Sequence, residues 1–382
     1  MNTMWHKRFD VLVFSMVILV TGCLDPYAAP NVNGSGNYLV ISGFLNASDS
    51  SCSITLSRSL PLSSTDVPTP VSDATVAIED SNGNSFSILQ QTTGVYTNLN
   101  LPLSSQLKYR LHIVTGNGKS YRSDYVSIAL CPPIDTVGWT LGRVNNMPTL
   151  NIYVSTHGSG GGSPYYLWNF EETWEYKAAF RSQLKVVNGQ VVTNDDNNYY
   201  CWRTLPSTDI LIASAKQLSQ NVVNQFQLTS IPANSVKLLD GYSILVTQQS
   251  LTEGAFEYWQ QLKATTENLG TIFGPLPSQL SGNIHSETNV TEPVFGYFSA
   301  TSVSQKRIFI KPGDFASPGY VVTGNEDCIT TMVPADQIND IGADVIVSSY
   351  GVGPIGYLVT SVACTDCRLN GGVNVKPSFW YY

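Results

Sequence analysis

Short runs of alternating apolar and polar residues, cut by Asn-Gly pairs, constrain this chain more than any other feature. The first runs are Tyr38-Leu39-Val40-Ile41 and Cys52-Ser53-Ile54-Thr55-Leu56. Ala74-Thr75-Val76-Ala77-Ile78 and Phe86-Ser87-Ile88 flank Asn82-Gly83. Tyr109-Arg110-Leu111-His112-Ile113 and the segment from Tyr121 to Ile128 flank Asn117-Gly118. Successive strand residues point to opposite faces, so this period puts every second side chain in a core, and Asn-Gly suits the two-residue turns of hairpins. Residues 37–133 are therefore expected to form an immunoglobulin-like or transthyretin-like β-sandwich. Cys131-Pro132-Pro133 ends it, because proline cannot donate to a ladder.

Residues 134–382 continue the pattern as a larger β-rich domain with one or two inserted helices. Leu150–Val154, Ile210–Ile212, Tyr242–Val246 and Arg307–Ile310 read as strands, and residues 182–199, around Asn188-Gly189, read as a long exposed hairpin or loop. Ser250 and Glu253 have capping-box spacing. Phe256, Trp259, Leu262 and Leu269 then recur three or four apart, predicting a helix over 250–270. A weaker helix is expected after Ser214, with Leu218 and Val222 on one face.

The N-terminus supplies an address. Lys7 and Arg8 precede an apolar run from Val11 to Val20 that is too short to cross a bilayer of about 30 Å as a helix. Val20-Thr21-Gly22-Cys23 resembles the lipobox of bacterial lipoproteins, in which the cysteine is acylated. Residues 1–22 are thus expected to be a lipoprotein signal peptide, with a lipid on Cys23 holding the protein to a membrane. Residues 23–36, rich in Pro, Asn and Gly, would be a flexible tether. The net charge of −8 argues against nucleic acid, whose affinity rests on Lys and Arg neutralising phosphates.

An exported chain with six further cysteines, Cys52, Cys131, Cys201, Cys328, Cys364 and Cys367, is expected to use them in disulfides. Cys364-Thr365-Asp366-Cys367 has half the ligands of a structural zinc site, and no second half accompanies it. A disulfide from one of these two, for example to Cys328, is the expected use. Gly351-Val352-Gly353-Pro354-Ile355-Gly356 matches a dinucleotide fingerprint by letter, but β-prone residues follow it, so it predicts a turn. His157 with Gly158, Gly160, Gly161 and Gly162 resembles an oxyanion-hole loop without a nucleophile elbow, and is expected to be a hairpin loop. Glu171, Glu172 and Glu175, like Asp195 and Asp196, are expected on solvated faces. No metal or cofactor is expected.

Several strings together resemble one family. They are Val71–Val76, Asp80–Gly83, Gly94–Tyr96 and Cys201-Trp202, then the Ser250–Lys263 helix with Tyr258-Trp259 and Gly296–Ala300. Ser304–Phe309, Cys364–Arg368, Gly371-Gly372 and Lys376–Trp380 complete the set, the C-terminal box being the most specific. The chain resembles, over essentially its whole mature length, the Bacteroidota lipoproteins of domain of unknown function family 4249. That resemblance implies an outer-membrane lipoprotein, often encoded beside a TonB-dependent transporter, and implies no established activity. Only Asp25 stands where some lipoproteins of that phylum carry an acidic export tag, which leaves periplasmic and surface-facing placements both open.

The expected function is a non-enzymatic binding lipoprotein of the outer membrane, accessory to a TonB-dependent transporter in nutrient capture. The alternatives are an exported hydrolase of glycans or peptides and a structural or adhesive envelope protein. Two aromatic clusters, Tyr165–Phe180 and Tyr199–Trp202, supply candidate contacts, and Trp168, Trp174 and Trp202 are the expected ligand or partner anchors.

Overall fold

The computed structural model describes residues 37–381 apart from 62–63, 159–161, 217–220, 268–281, 317–319, 343 and 354. The signal peptide, Cys23 and the tether lie outside the described residues, as do Leu218, Leu269 and Gly270. The chain is mainly β, and one α-helix, Glu253–Glu267, stands among the described residues beside four short 3₁₀ turns.

The alternating runs form the first sandwich as expected. Cys52, Ile54 and Leu56 of strand Ser51–Arg58 are fully buried, as are Tyr109, Leu111 and Ile113 of Lys108–Val114. Strand Ser85–Thr92 links the two layers, pairing with Thr75–Asp80 at one end and with Val95–Asn98 at the other. Asp80 shapes the turn at Asn82-Gly83, its carboxylate accepting the Asn82 and Asn84 N–H groups at 2.9 Å each. Gly83 supplies a φ of +90° there.

The sandwich is not closed by residues 37–133 alone. Val294–Phe295 and Ala300–Thr301 pair in parallel with Leu39–Asn46, and Ile284–Ser286 pairs antiparallel with Ser120–Ser123. Ile284, Phe298 and Ala300 are buried in its core. A boundary at 133 therefore leaves out part of the unit, because three of its strands arrive from far along the chain.

The second layer pair packs a three-stranded sheet (Ile134–Val144, Met147–His157, Val222–Pro232) on a five-stranded one. At the middle of the latter, Tyr165–Lys177 pairs with Tyr242–Leu251 on one side and with Tyr200–Pro206 and Leu211–Ser214 on the other. Its even-numbered aromatics, Tyr166, Trp168, Phe170, Trp174 and Tyr176, join Leu150, Ile152 and Val154 in the core between the sheets. Tyr165 and Leu167, on the opposite face, are covered by the helix through Ala255, Phe256 and Trp259. With both faces buried over Tyr165–Trp168, the start of this strand reads as a continuous apolar run. Asn145-Asn146 and Asn188-Gly189, all at positive φ, make the two-residue turns that fix the flanking hairpins.

Two expected helical features differ. Thr252, rather than Ser250, caps the helix, its hydroxyl accepting the Ala255 N–H at 3.3 Å, while Ser250 still belongs to the preceding strand. Val222 opens a strand rather than sitting on a helix face, because Phe226, Leu228 and Ile231 pack with the core between the sheets.

The expected 182–199 hairpin is present as Leu184–Val187 and Gln190–Thr193, and packs through Leu184, Val186 and Val191 on a C-terminal sheet of Thr331–Pro334, Val345–Tyr350 and Gly356–Thr360. Gly351–Gly353 form a turn ahead of strand Gly356–Thr360, as read, and Pro354 lies outside the described residues. Disulfides Cys201–Cys367 and Cys328–Cys364 fasten the C-terminal segment to the second sandwich and to the preceding loop. Cys52 and Cys131 are free thiols, against expectation. Cys52 faces the first core, where burial pushes its pKa up to about 12, and Cys131 sits in the linker between sandwiches.

Candidate binding groove

The three tryptophans expected to bind are core residues. Trp168 is 0% exposed, Trp174 5% and Trp202 8%. Trp168 stacks on Phe226 at 4.7 Å between centroids, and Trp174 lies under the Lys237 ammonium at 5.0 Å. Trp202 is covered by the C-terminal segment, with which it exchanges two backbone hydrogen bonds through Val373. The strand neighbours Leu167, Thr173 and Cys201, on the opposite face from each tryptophan, are buried as well, so aromatic crowding there marks packing.

The acidic residues are likewise separated, because a strand sends neighbours to opposite faces. Glu172 points into the core, accepting from Lys237 Nζ at 2.6 Å and Tyr242 Oη at 2.8 Å. Glu171 lies on the other face, 3.8 Å from Arg307. Glu175 accepts the Trp380 indole N–H at 3.2 Å, and its pKa is raised, first by burial and then by Asp240. Glu172 is therefore a buried, paired carboxylate rather than part of a solvated face. Asp196 pairs with Lys185 at 3.4 Å on the exposed hairpin side. His157, at a strand end, holds Asp135 at 2.8 Å and stays exposed; Gly160 and Gly161 of its loop lie outside the described residues. Cys131 lines the same cleft, and burial raises its pKa, which is the reverse of an activated nucleophile. Among the described residues no three His, Cys, Asp or Glu side chains gather as a metal site.

A different feature has the character of a binding site. Between the first sandwich, the outer face of the five-stranded sheet and the helix runs a groove of about 620 Å³. Phe44, Tyr258, Trp259, Phe295 and Tyr297 give it aromatic walls, and Asn169 and Gln249 place carboxamides on its sheet side. None of its lining residues carries a charge among those described. Ligand sites favour such junctions, with an apolar lining and a few polar groups.

Local sequence explains how the walls stand. Thr252 starts the helix so that Tyr258 is turned inward and buried. Burial raises the Tyr258 phenol above its ordinary pKa, and does the same at Tyr297. The Tyr258 and Tyr297 rings lie 5.4 Å apart. Gly296 has φ +133°, and a Cβ there would fall 2.2 Å from the Ile41 carbonyl oxygen, so only glycine lets this segment run against the strand edge. The sequence showed Tyr258-Trp259 and Gly296-Tyr297 as strings of interest, but nothing in it brought them together.

The junction is fixed by hydrogen bonds. Ser48 Oγ accepts the Val303 N–H at 2.8 Å and donates to the Val303 carbonyl at 3.0 Å. The Cys131 and Ile134 N–H groups donate to the Ser302 and Ser304 hydroxyls at 2.7 and 3.0 Å. The groove is thus preformed between two bodies that are sewn together by crossing strands.

A family model described as Domain of unknown function (DUF4249) matches residues 25–307. The match spans the first sandwich, the helix and the whole groove lining. It stops short of Cys364–Trp380, so the C-terminal box expected to be the most specific part of the resemblance lies beyond it. No curated protein matches the chain. Among solved structures, a two-domain fibronectin type III segment of chicken tenascin is similar at 12% identity, covering 56% of this chain and 90% of that one. Its TM-score of 0.16 is too low to add to the description of the fold.

Proposed function

The chain belongs to the DUF4249 family, and on that premise we propose that it is a non-enzymatic, outer-membrane-anchored binding lipoprotein. The observation that carries the reading is the preformed, uncharged aromatic groove at the sandwich junction. A site of this composition holds a ligand by burial and shape, and its described lining carries no carboxylate, histidine or cysteine beside its hydroxyl groups. The lipid on Cys23 would keep the groove at the membrane, and a TonB-dependent transporter would be the recipient of what it captures.

Fractionation and co-purification test this. The full chain is expected in the detergent-soluble membrane fraction together with a β-barrel transporter, and Cys23→Ser is expected to release it, since stable anchoring needs the acyl chains. A Cys23→Ser protein that stays with membranes, or a wild-type protein that brings down no β-barrel, counts against the anchor or the partner respectively. Hydrolysis of a glycan or peptide that follows the purified protein and is lost on changing one carboxylate would replace the reading with the hydrolase one.

A further inference from the structure

We infer that the junction groove takes a neutral oligosaccharide; the inference rests on the binding role proposed above and assigns its ligand class. Three properties of the lining narrow the chemistry. The absence of any charged residue from the described lining disfavours ionic ligands, because a phosphate, carboxylate or ammonium brought against those residues would lose hydration with no counter-charge from them. The walls disfavour a ligand that is polar all round: Trp259, Phe295 and Tyr297 are partly exposed toward the groove, and their faces need an apolar surface to cover. The sheet side disfavours an acyl chain, since covering the Asn169 carboxamide and the Ser42 hydroxyl, both exposed, with hydrocarbon would strip them of water without replacing it.

A neutral sugar meets all three conditions. Its ring faces present C–H groups that stack on aromatic rings, while its equatorial hydroxyls point outward in the ring plane, where carboxamides can both donate and accept. Asn169 and Gln249 offer that pairing from adjacent strands, with Leu167 and Gln249 directly opposite in the ladder. Trp259, which lines the groove and is partly exposed, is the stacking platform, and Tyr258, which is buried, supports it edge-on at 5.9 Å. The groove volume falls within the roughly 300–1,000 Å³ of small-ligand sites.

The experiment presents the purified chain from residue 24 onward, lacking only the lipid, to an array of neutral and acidic glycans, and in parallel to palmitate and a neutral peptide library. Titration calorimetry follows on any hit. Neutral glycans are expected to bind, Trp259→Ala to weaken them at least tenfold, and Asn169→Ala to weaken them several-fold. Asn169→Ala is expected to keep the wild-type melting temperature within a few degrees, Trp259→Ala to lower it while staying folded at the assay temperature because its ring also packs on the Tyr165–Leu167 cluster, and Trp259→Phe to restore part of the affinity. Binding of palmitate, peptides or acidic glycans alone, lost in Trp259→Ala, overturns the ligand class and leaves the binding role standing. Neutral-glycan binding indifferent to Trp259 and Asn169 overturns the site. No binding by any class overturns both.

Discussion

The indole N–H of Trp168 donates to the side-chain oxygen of Gln248 at 2.9 Å, between two residues that are cross-strand partners and are both fully buried. The amide of Gln248 then donates to the Pro132 carbonyl at 2.9 Å and the Thr156 hydroxyl at 3.1 Å. One carboxamide thereby ties the five-stranded sheet to the interdomain linker and to the opposing sheet. Trp168→Ala is expected to cost about 3–5 kcal/mol of stability by leaving a core cavity. Gln248→Leu leaves the indole N–H without an acceptor in a dry site and should cost about 1–3 kcal/mol. Urea denaturation measures both, and glycan affinity of the folded Gln248→Leu protein should be unchanged.

Acid should loosen the first sandwich through Glu79. Burial pushes its carboxyl pKa up, but the Arg110 hydrogen bond and the charges of Arg122, Arg110 and His112 outweigh it, so the net pKa is lowered. A carboxyl held below its unfolded value contributes stability that is complete above that value and is lost as pH falls through the folded one. Stability should therefore be flat at neutral pH and fall below about 4.5, the ordinary value for this group. Glu287 adds to the same limb, held low first by the Ser120 hydroxyl and then by Arg122, and it pins the returning strand at 2.6 Å from Arg122. Glu79→Gln should be less stable than wild type at pH 7 and show a shallower acid limb in urea midpoints. An unchanged limb would discount the cluster.

The cysteines divide by environment. Non-reducing peptide maps should show Cys201 joined to Cys367 and Cys328 to Cys364, and no other pair among these residues. Replacing Cys201 and Cys367 together by alanine should cost about 2–5 kcal/mol. An alkylating reagent should reach Cys131, which is half-buried, before Cys52, whose thiol is locked in the core and held protonated by a pKa near 12. Labelling of Cys52 should track global unfolding.

The contrast between the aromatic strand and the glycine strings shows what was legible. Asn82-Gly83, Asn117-Gly118 and Asn188-Gly189 specify turns through two or three backbone angles, and alternation such as Cys52-Ser53-Ile54-Thr55-Leu56 specifies a face through the pleat. Both are local, and both are where the sequence placed them. Tyr165-Tyr166-Leu167-Trp168 carried no such instruction, because apolar residues on both faces say only that something covers each side. The cover proved to be a second sheet beneath Trp168 and a helix above Leu167.

By itself the sequence determined the β class, the turn positions, the helix near residue 253 and the resemblance to the DUF4249 family, since each rests on neighbours within a few residues or on a string of them. Only the tertiary structure decided which cysteines meet, that residues 284–301 complete the first sandwich, and that Phe44, Asn169, Tyr258, Trp259 and Tyr297 line one groove. Those outcomes join residues far apart in the chain, 36 and 166 positions in the two disulfides and farther in the first sandwich, where Leu39 pairs with Val294. Their partners are chosen by burial and hydrogen-bond satisfaction summed over the whole fold, a quantity that no short stretch of chain contains.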